Sequence, residues 1–164
     1  MIRNALTGAV AGAAGTTALN AATYTDMVLT GRGGSSAPKE IVDRLSDRTE
    51  VAVPGTGEPR DNRASALGAL LGMATGVGVG ALYGLARASG RRPAVPLAGV
   101  LAGVTAMAGS DVPMAALRIS DPREWRPSDW LRDLVPHLTY GVVTAAVYEL
   151  AAGRDERGPR RRRR

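Results

Sequence analysis

Charges along this chain are crowded into a few segments and withheld from others. Residues 4–25, 64–86 and 93–110 contain no Asp, Glu, Lys, Arg or His, and residues 134–148 contain only His137. A helix on the surface of a water-soluble domain places polar side chains along its solvent side every turn or so, which these segments do not do. Crossing a bilayer core takes about 20 mainly apolar residues rising 1.5 Å each. The pattern therefore predicts an all-α integral membrane bundle of four transmembrane helices, at about 4–29, 64–86, 94–117 and 134–152. The first is the weakest: Ala, Gly and Thr dominate it, and it needs its neighbours to insert. A soluble Ala-rich bundle and a cleaved signal peptide are the competing readings. Poor amphipathicity of the second and third segments opposes the former, and a long, Leu-poor first segment opposes the latter.

Residues 1–153 read as one membrane domain, followed at 154–164 by a disordered Arg-rich tail. Residues 87–92 form a tight basic turn that brings the second and third segments into an antiparallel hairpin. Four crossings put both termini on one side, with Arg3, Arg87, Arg91, Arg92 and the tail. The other side holds ten Lys or Arg, nearly as many. Because short loops and helix ends dominate orientation, both termini are expected in the cytoplasm, in a cell (inner) membrane.

The first loop, residues 30–63, contains a short amphipathic helix capped by Ser36, with Pro38 and Glu40 in its first turn and Ile41, Val42 and Leu45 on one face. The stretch from Val51 to Arg63 is punctuated by Pro and Gly and is expected to lack regular structure. In the third loop, Trp125 and Trp130 are the only tryptophans; they read as interface anchors of the last helix, with Ser128 and Asp129 as its cap and first-turn charge. Ligand stacking is the alternative for the two rings.

The second segment places Gly68, Gly72, Gly76, Gly80 and Gly84 every fourth residue. Small residues at that spacing let helix backbones approach closely where no hydrophobic drive exists between helices, so this stripe is expected to pack against another helix. Oligomerisation through the same face, around a pore, is the other reading. Gly8, Gly12 and Thr16 repeat the spacing in the first segment, and Gly99 and Gly103 in the third.

Polar groups at membrane depth are the remaining candidates: Asn20, Tyr24 and Asp26 in the first helix, Ser110 and Asp111 in the third, His137 and Tyr140 in the fourth. All fall toward the non-cytoplasmic leaflet. Ionisable groups there are costly and should face one another or water. Asp111 precedes Pro113, which loosens the helix, and His137 changes charge in the mildly acid range without strong perturbation. Asp26, Asp111 and His137 are therefore expected to converge, either as a proton or cation site or as a hydrogen-bonded staple between helices.

Net charge is +6 and there is no Cys, which removes disulfides, thiolate metal sites and a cysteine nucleophile. No zinc spacing, phosphate-binding glycine loop or serine–histidine constellation is evident, so the chain reads as non-enzymatic, without cofactor or metal. The basic tail, residues 160–164, suits anionic lipid better than nucleic acid.

The glycine-rich first helix, the Pro-containing loop and the stretch REWRPSDWLRDLVPHLTYGVVTAAVYE, with His137, Tyr140 and Gly141, resemble the YagU-like family of small bacterial inner-membrane proteins and a set of actinobacterial four-helix membrane proteins. The resemblance implies a membrane component tied in some bacteria to acid tolerance, with no catalytic residues to carry over. The reading is a packing or regulatory membrane protein, linked to envelope or acid stress. The alternative is an oligomeric channel or transporter for protons or small ions.

Overall fold

A computed structural model describes residues 1–90 and 93–156. Among them are five α-helices: α1 (Ile2–Thr30), α2 (Ala37–Thr49), α3 (Gly57–Ala88), α4 (Val95–Ala116) and α5 (Pro127–Glu156), with a 3-10 turn at Pro122–Glu124. No strand occurs among the described residues. Two helices, α3 and α4, are long and apolar enough to cross a membrane. α1 and α5 are long enough but too diluted by Gly, Thr and charged ends to reach that mark.

Several boundaries differ from those expected. α3 begins at Gly57, seven residues before the uncharged run, because Glu58 and Pro59 make a favourable first turn and Arg60 and Asp61 find partners on α2. α5 begins at Pro127, where Asp129 reaches back to accept from the Arg126 N–H at 3.1 Å. That is the acidic half of a capping box; Ser128 does not cap. At the far end α5 continues to Glu156, so residues 154–156, expected in the tail, are helical. The pentaarginine and Arg91 and Arg92 lie outside the described residues. α1 ends on Gly31 at φ 68°, whose N–H bonds to Met27 O, a left-handed closure that suits glycine.

α1 packs between α3 and α5, and α5 packs in turn on α4, while α3 and α4 touch far less. The expected hairpin of the second and third segments is thus a connection in sequence rather than the main packing pair. The reason lies in the glycines. A methyl on Gly12 would sit 2.9 Å from Gly80 Cα, and one on Gly141 would sit 2.8 Å from Gly103 Cα. Backbone therefore meets backbone at α1–α3 and at α4–α5, where no larger residue fits.

Burial is inverted relative to a water-soluble domain. The interior is built from Ala11, Ala64, Ala98, Ala102, Ala106 and Ala145 together with the glycines, and Tyr140 is its largest fully buried side chain. Leu and Val point outward on every long helix: Leu6 is 62% exposed on α1, Leu82 61% on α3, Leu101 53% on α4 and Val142 55% on α5. Exposure of that many large apolar groups to water would forfeit the burial that normally drives folding.

α2 lies on α3 at the end of the assembly away from the termini. Val42 is its buried side chain, and Pro38 fits where Gly68 leaves room. Lys39 bridges Asp43 and Asp61, and Arg60 bonds Asp43, which clamps α2 to the start of α3. Burial alone would raise the Asp43 carboxyl, but hydrogen bonds from Lys39 and Arg60 outweigh it and hold the group below the ordinary carboxylate value. Ser36 does not cap this helix through its side chain; its hydroxyl donates to Glu40, and Ser35 Oγ accepts from the Ala37 N–H.

Candidate functional site

On α4, Gly99, Gly103, Ala106 and Ser110 recur at helical spacing and share one face. A methyl on Gly103 would meet His137 O at 2.6 Å, so α5 runs backbone-close along that face and delivers the His137 side chain to the last turns of α4. Ser110 Oγ lies 3.4 Å from His137 Nε2 and donates to Met107 O at 2.9 Å, with Asp111 Oδ1 at 3.3 Å. His137 Nδ1 faces Asp133 O at 2.8 Å and Asp133 Oδ1 at 3.4 Å.

Asp111 is only 8% exposed. Asp133 Oδ2 is buried and has no hydrogen-bond donor, and the two carboxyl groups approach closely enough to bond once one of them holds a proton. Asp111 and Asp133 are the ionisable groups that face His137. Each helix also carries a proline beside the cluster, Pro113 on α4 and Pro136 on α5, which removes a backbone donor there. Carbonyls freed in this way are tolerated at membrane depth where polar groups or water re-satisfy them.

The other residues singled out in the sequence lie elsewhere. Asp26 pairs with Arg32 beyond the end of α1, so it does not join Asp111 and His137; the turn at Gly31 swings Arg32 back onto it. Tyr24 is exposed and Asn20 half-buried. Tyr140 sits deeper in the assembly and donates to Gly76 O at 2.6 Å. On the glycine stripe, Gly76, Gly80 and Gly84 face α1 and Gly68 faces α2, but Gly72 has nothing within 4 Å. Trp125 and Trp130 form an edge-on pair with ring centroids 5.2 Å apart, and Trp125 Nε1 donates to Ser120 Oγ at 2.7 Å. They stand at the same end as the cluster. Asp121 in that loop is pushed down to about 2, chiefly by hydrogen bonds from the Arg123 side chain.

Asp133 was the partner the sequence reading missed. Its spacing of four from His137 becomes visible once α5 is extended back to Pro127. Two further features were also missed: the Arg87–Glu149 ion pair, which joins α3 to α5 near the termini with Arg87 also donating to Pro93 O, and the buried Thr144. Among the described residues no group of three or more His, Asp or Glu is arranged to hold a metal ion. Comparison with family models, curated proteins and solved structures gives no match.

Proposed function

We propose that this chain is a small multi-pass membrane protein in which α1, α3, α4 and α5 all cross the bilayer as a four-helix bundle, and that it is a non-enzymatic, proton-responsive component. Both termini lie in the cytoplasm on this reading, and the Ser110–Asp111–Asp133–His137 cluster lies toward the opposite face. The outward Leu and Val of all four helices support the crossings, including those of α1 and α5. Such a skin is stable only in lipid or under partners. The role in acid or envelope stress implied by the YagU-like resemblance is of the same kind.

The observation that carries the function is the convergence of His137 with two carboxyl groups and a hydroxyl across α4 and α5. With Nδ1–H donated to Asp133, neutral His137 offers Nε2 as an acceptor. Taking up a proton makes Nε2 a donor toward Ser110 Oγ, which turns the Ser110 hydroxyl to Asp111 and replaces carboxylate repulsion with a continuous donor chain. The α4–α5 contact is then tighter in acid than at neutral pH. Ser110, His137 and Asp133 stand in the order of nucleophile, base and orienting acid. However, Ser110 Oγ is turned into its own helix, toward Met107 O, and helical N–H groups around it are already bonded, so the arrangement favours proton binding over acyl transfer.

Tryptophan fluorescence tests this, since Trp130 lies on α5 one turn before Asp133 and packs edge-on against Trp125. Titrating the full chain in lipid nanodiscs between about pH 4 and 8 should give a single sigmoidal change as the cluster takes up its proton. Asp111→Asn and His137→Gln should each abolish it, and the double variant should add nothing, because groups sharing one interaction are not additive. An unaltered titration in both single variants would refute the reading.

A further inference from the structure

The face of α5 that carries the cluster remains polar through the whole helix. Asp133, His137, Tyr140, Thr144 and Tyr148 follow one another at steps of four, three, four and four, which keeps them on one side. That side is the buried one: Tyr140, Thr144 and Tyr148 are each at most 4% exposed. Beyond Tyr148 the line turns onto α3, where the Tyr83 ring meets Tyr148 edge-on at 5.3 Å, and ends one turn later at Arg87, paired with Glu149. From Asp133 to Glu149 is 16 residues, about 24 Å of helix and most of a hydrocarbon core about 30 Å thick.

One hydroxyl on this line, Tyr83 Oη, is buried without a hydrogen-bond partner, while Thr144 Oγ1 has the neighbouring Tyr140 hydroxyl within reach. Thr144 is fully buried. Threonines on exposed faces of these helices bond back to their own backbone, as Thr105 and Thr139 do, whereas Thr144 is turned to its polar neighbour on the line, and the partnerless Tyr83 hydroxyl beyond it calls for a donor or acceptor from outside the protein. Water is the ligand of matching chemistry, because it donates and accepts at once and so can link one hydroxyl to the next.

We propose that this line is a proton path through a single copy of the chain, filled by water when open. The inference rests on the membrane-spanning, proton-responsive reading above. A proton enters at the Asp111–Asp133 pair. Each hydroxyl along the line accepts one proton on a lone pair and releases its own to the next water. Glu149 takes the last one, which loosens its pair with Arg87, and passes it to solvent through its exposed edge. One proton enters and one leaves, and no bond to carbon changes; the net charge moved has to be balanced by another ion crossing the bilayer independently of this chain. The Arg87–Glu149 pair is the inner gate, since it ties α3 to α5 across that end of the line.

The test uses the purified full chain in phosphatidylethanolamine–phosphatidylglycerol vesicles enclosing a pH-sensitive dye, with a proton gradient imposed and potassium made permeable by valinomycin. The wild type should equilibrate the gradient at least about tenfold faster than empty vesicles, and Thr144→Val, which keeps shape and removes only the hydroxyl, should lose most of that rate. Tyr83→Phe, a second isosteric change and one that breaks no existing bond, should do the same. In all three proteins the tryptophan titration should persist, because the cluster is intact. A wild-type rate equal to that of empty vesicles overturns the path, and so does full flux in both variants. A wild type that titrates but does not conduct leaves the proton-responsive reading standing while this one falls.

Discussion

Replacing Gly80 and Gly72 by alanine, one at a time, is expected to move stability in opposite directions, although both lie on the same stripe of α3. A methyl at Gly80 would stand 2.5 Å from Gly12 Cα and 2.7 Å from Gly12 N, against backbone that has no rotamer to retreat into. Carbon contacts are comfortable at about 3.5–4.0 Å, so α1 and α3 must part by roughly 1 Å where they are closest. Overpacking of this kind costs about 1–3 kcal/mol, and contact with backbone places it toward the upper part of that range. The better helix propensity of alanine offsets about 1 kcal/mol of it. At Gly72 nothing lies within 4 Å, so the same substitution retains only the propensity gain. Thermal unfolding of the full chain in detergent, followed by circular dichroism, should show Gly80→Ala melting several degrees below wild type and Gly72→Ala slightly above it. A difference of about 1 kcal/mol corresponds to roughly 2–4 °C for a chain of this size. Equal melting of the two variants, or the reverse order, would show that the α1–α3 approach is not backbone-close and would refute the reasoning.

The clamp on α2 should weaken in acid. Asp43 is held below its ordinary value, so its contribution is complete above the usual carboxylate range and is lost as pH falls through the lowered value, below about pH 4; hydrogen exchange of α2 amides should accelerate there and stay slow at pH 6. At the other end, Arg87→Met should destabilise the chain by leaving the partly buried Glu149 unpaired, whereas Arg87→Met combined with Glu149→Leu should recover part of the loss. Melting temperatures that fall further in the double variant would contradict a direct pairing role.

Helix order and the small-residue faces were legible in the sequence because charge segregation and four-residue glycine spacing depend only on local pattern. What those patterns could not give was the partner of each face. The Gly76, Gly80 and Gly84 face meets α1, not the sequence-adjacent α4, since Gly8 and Gly12 offer a matching bare backbone. Gly72 belongs to the stripe by spacing but faces no neighbour, because the close α1 contact is made by the residues up to Thr16 and the next contact, at Gly68, is with α2. For the candidate site, Asp111 and His137 were found by depth alone. Asp26 was misassigned because a charge at a helix end can be captured by its own following loop, here by Arg32 at i+6. Asp133 was passed over because it looked like part of a charged loop, and its relation to His137 depends on where α5 begins. Arg87 and Glu149 are 62 residues apart, and no pattern in either neighbourhood announces the pair.

The claim on which the rest depends is that α1 and α5 cross the bilayer alongside α3 and α4. The chain has no cysteine, so single cysteines can be placed at Val10 and Val142, outward on α1 and α5, and at Gly33 and Ser89 beyond opposite ends of the helices. Labelling sealed, oriented membranes with a charged, impermeant maleimide should modify Gly33→Cys from the outside and Ser89→Cys from the cytoplasmic side, and should leave Val10→Cys and Val142→Cys unmodified from either side until detergent is added. Reaction of Val10→Cys and Val142→Cys at the rates of the loop positions would place α1 and α5 in water and contradict the account.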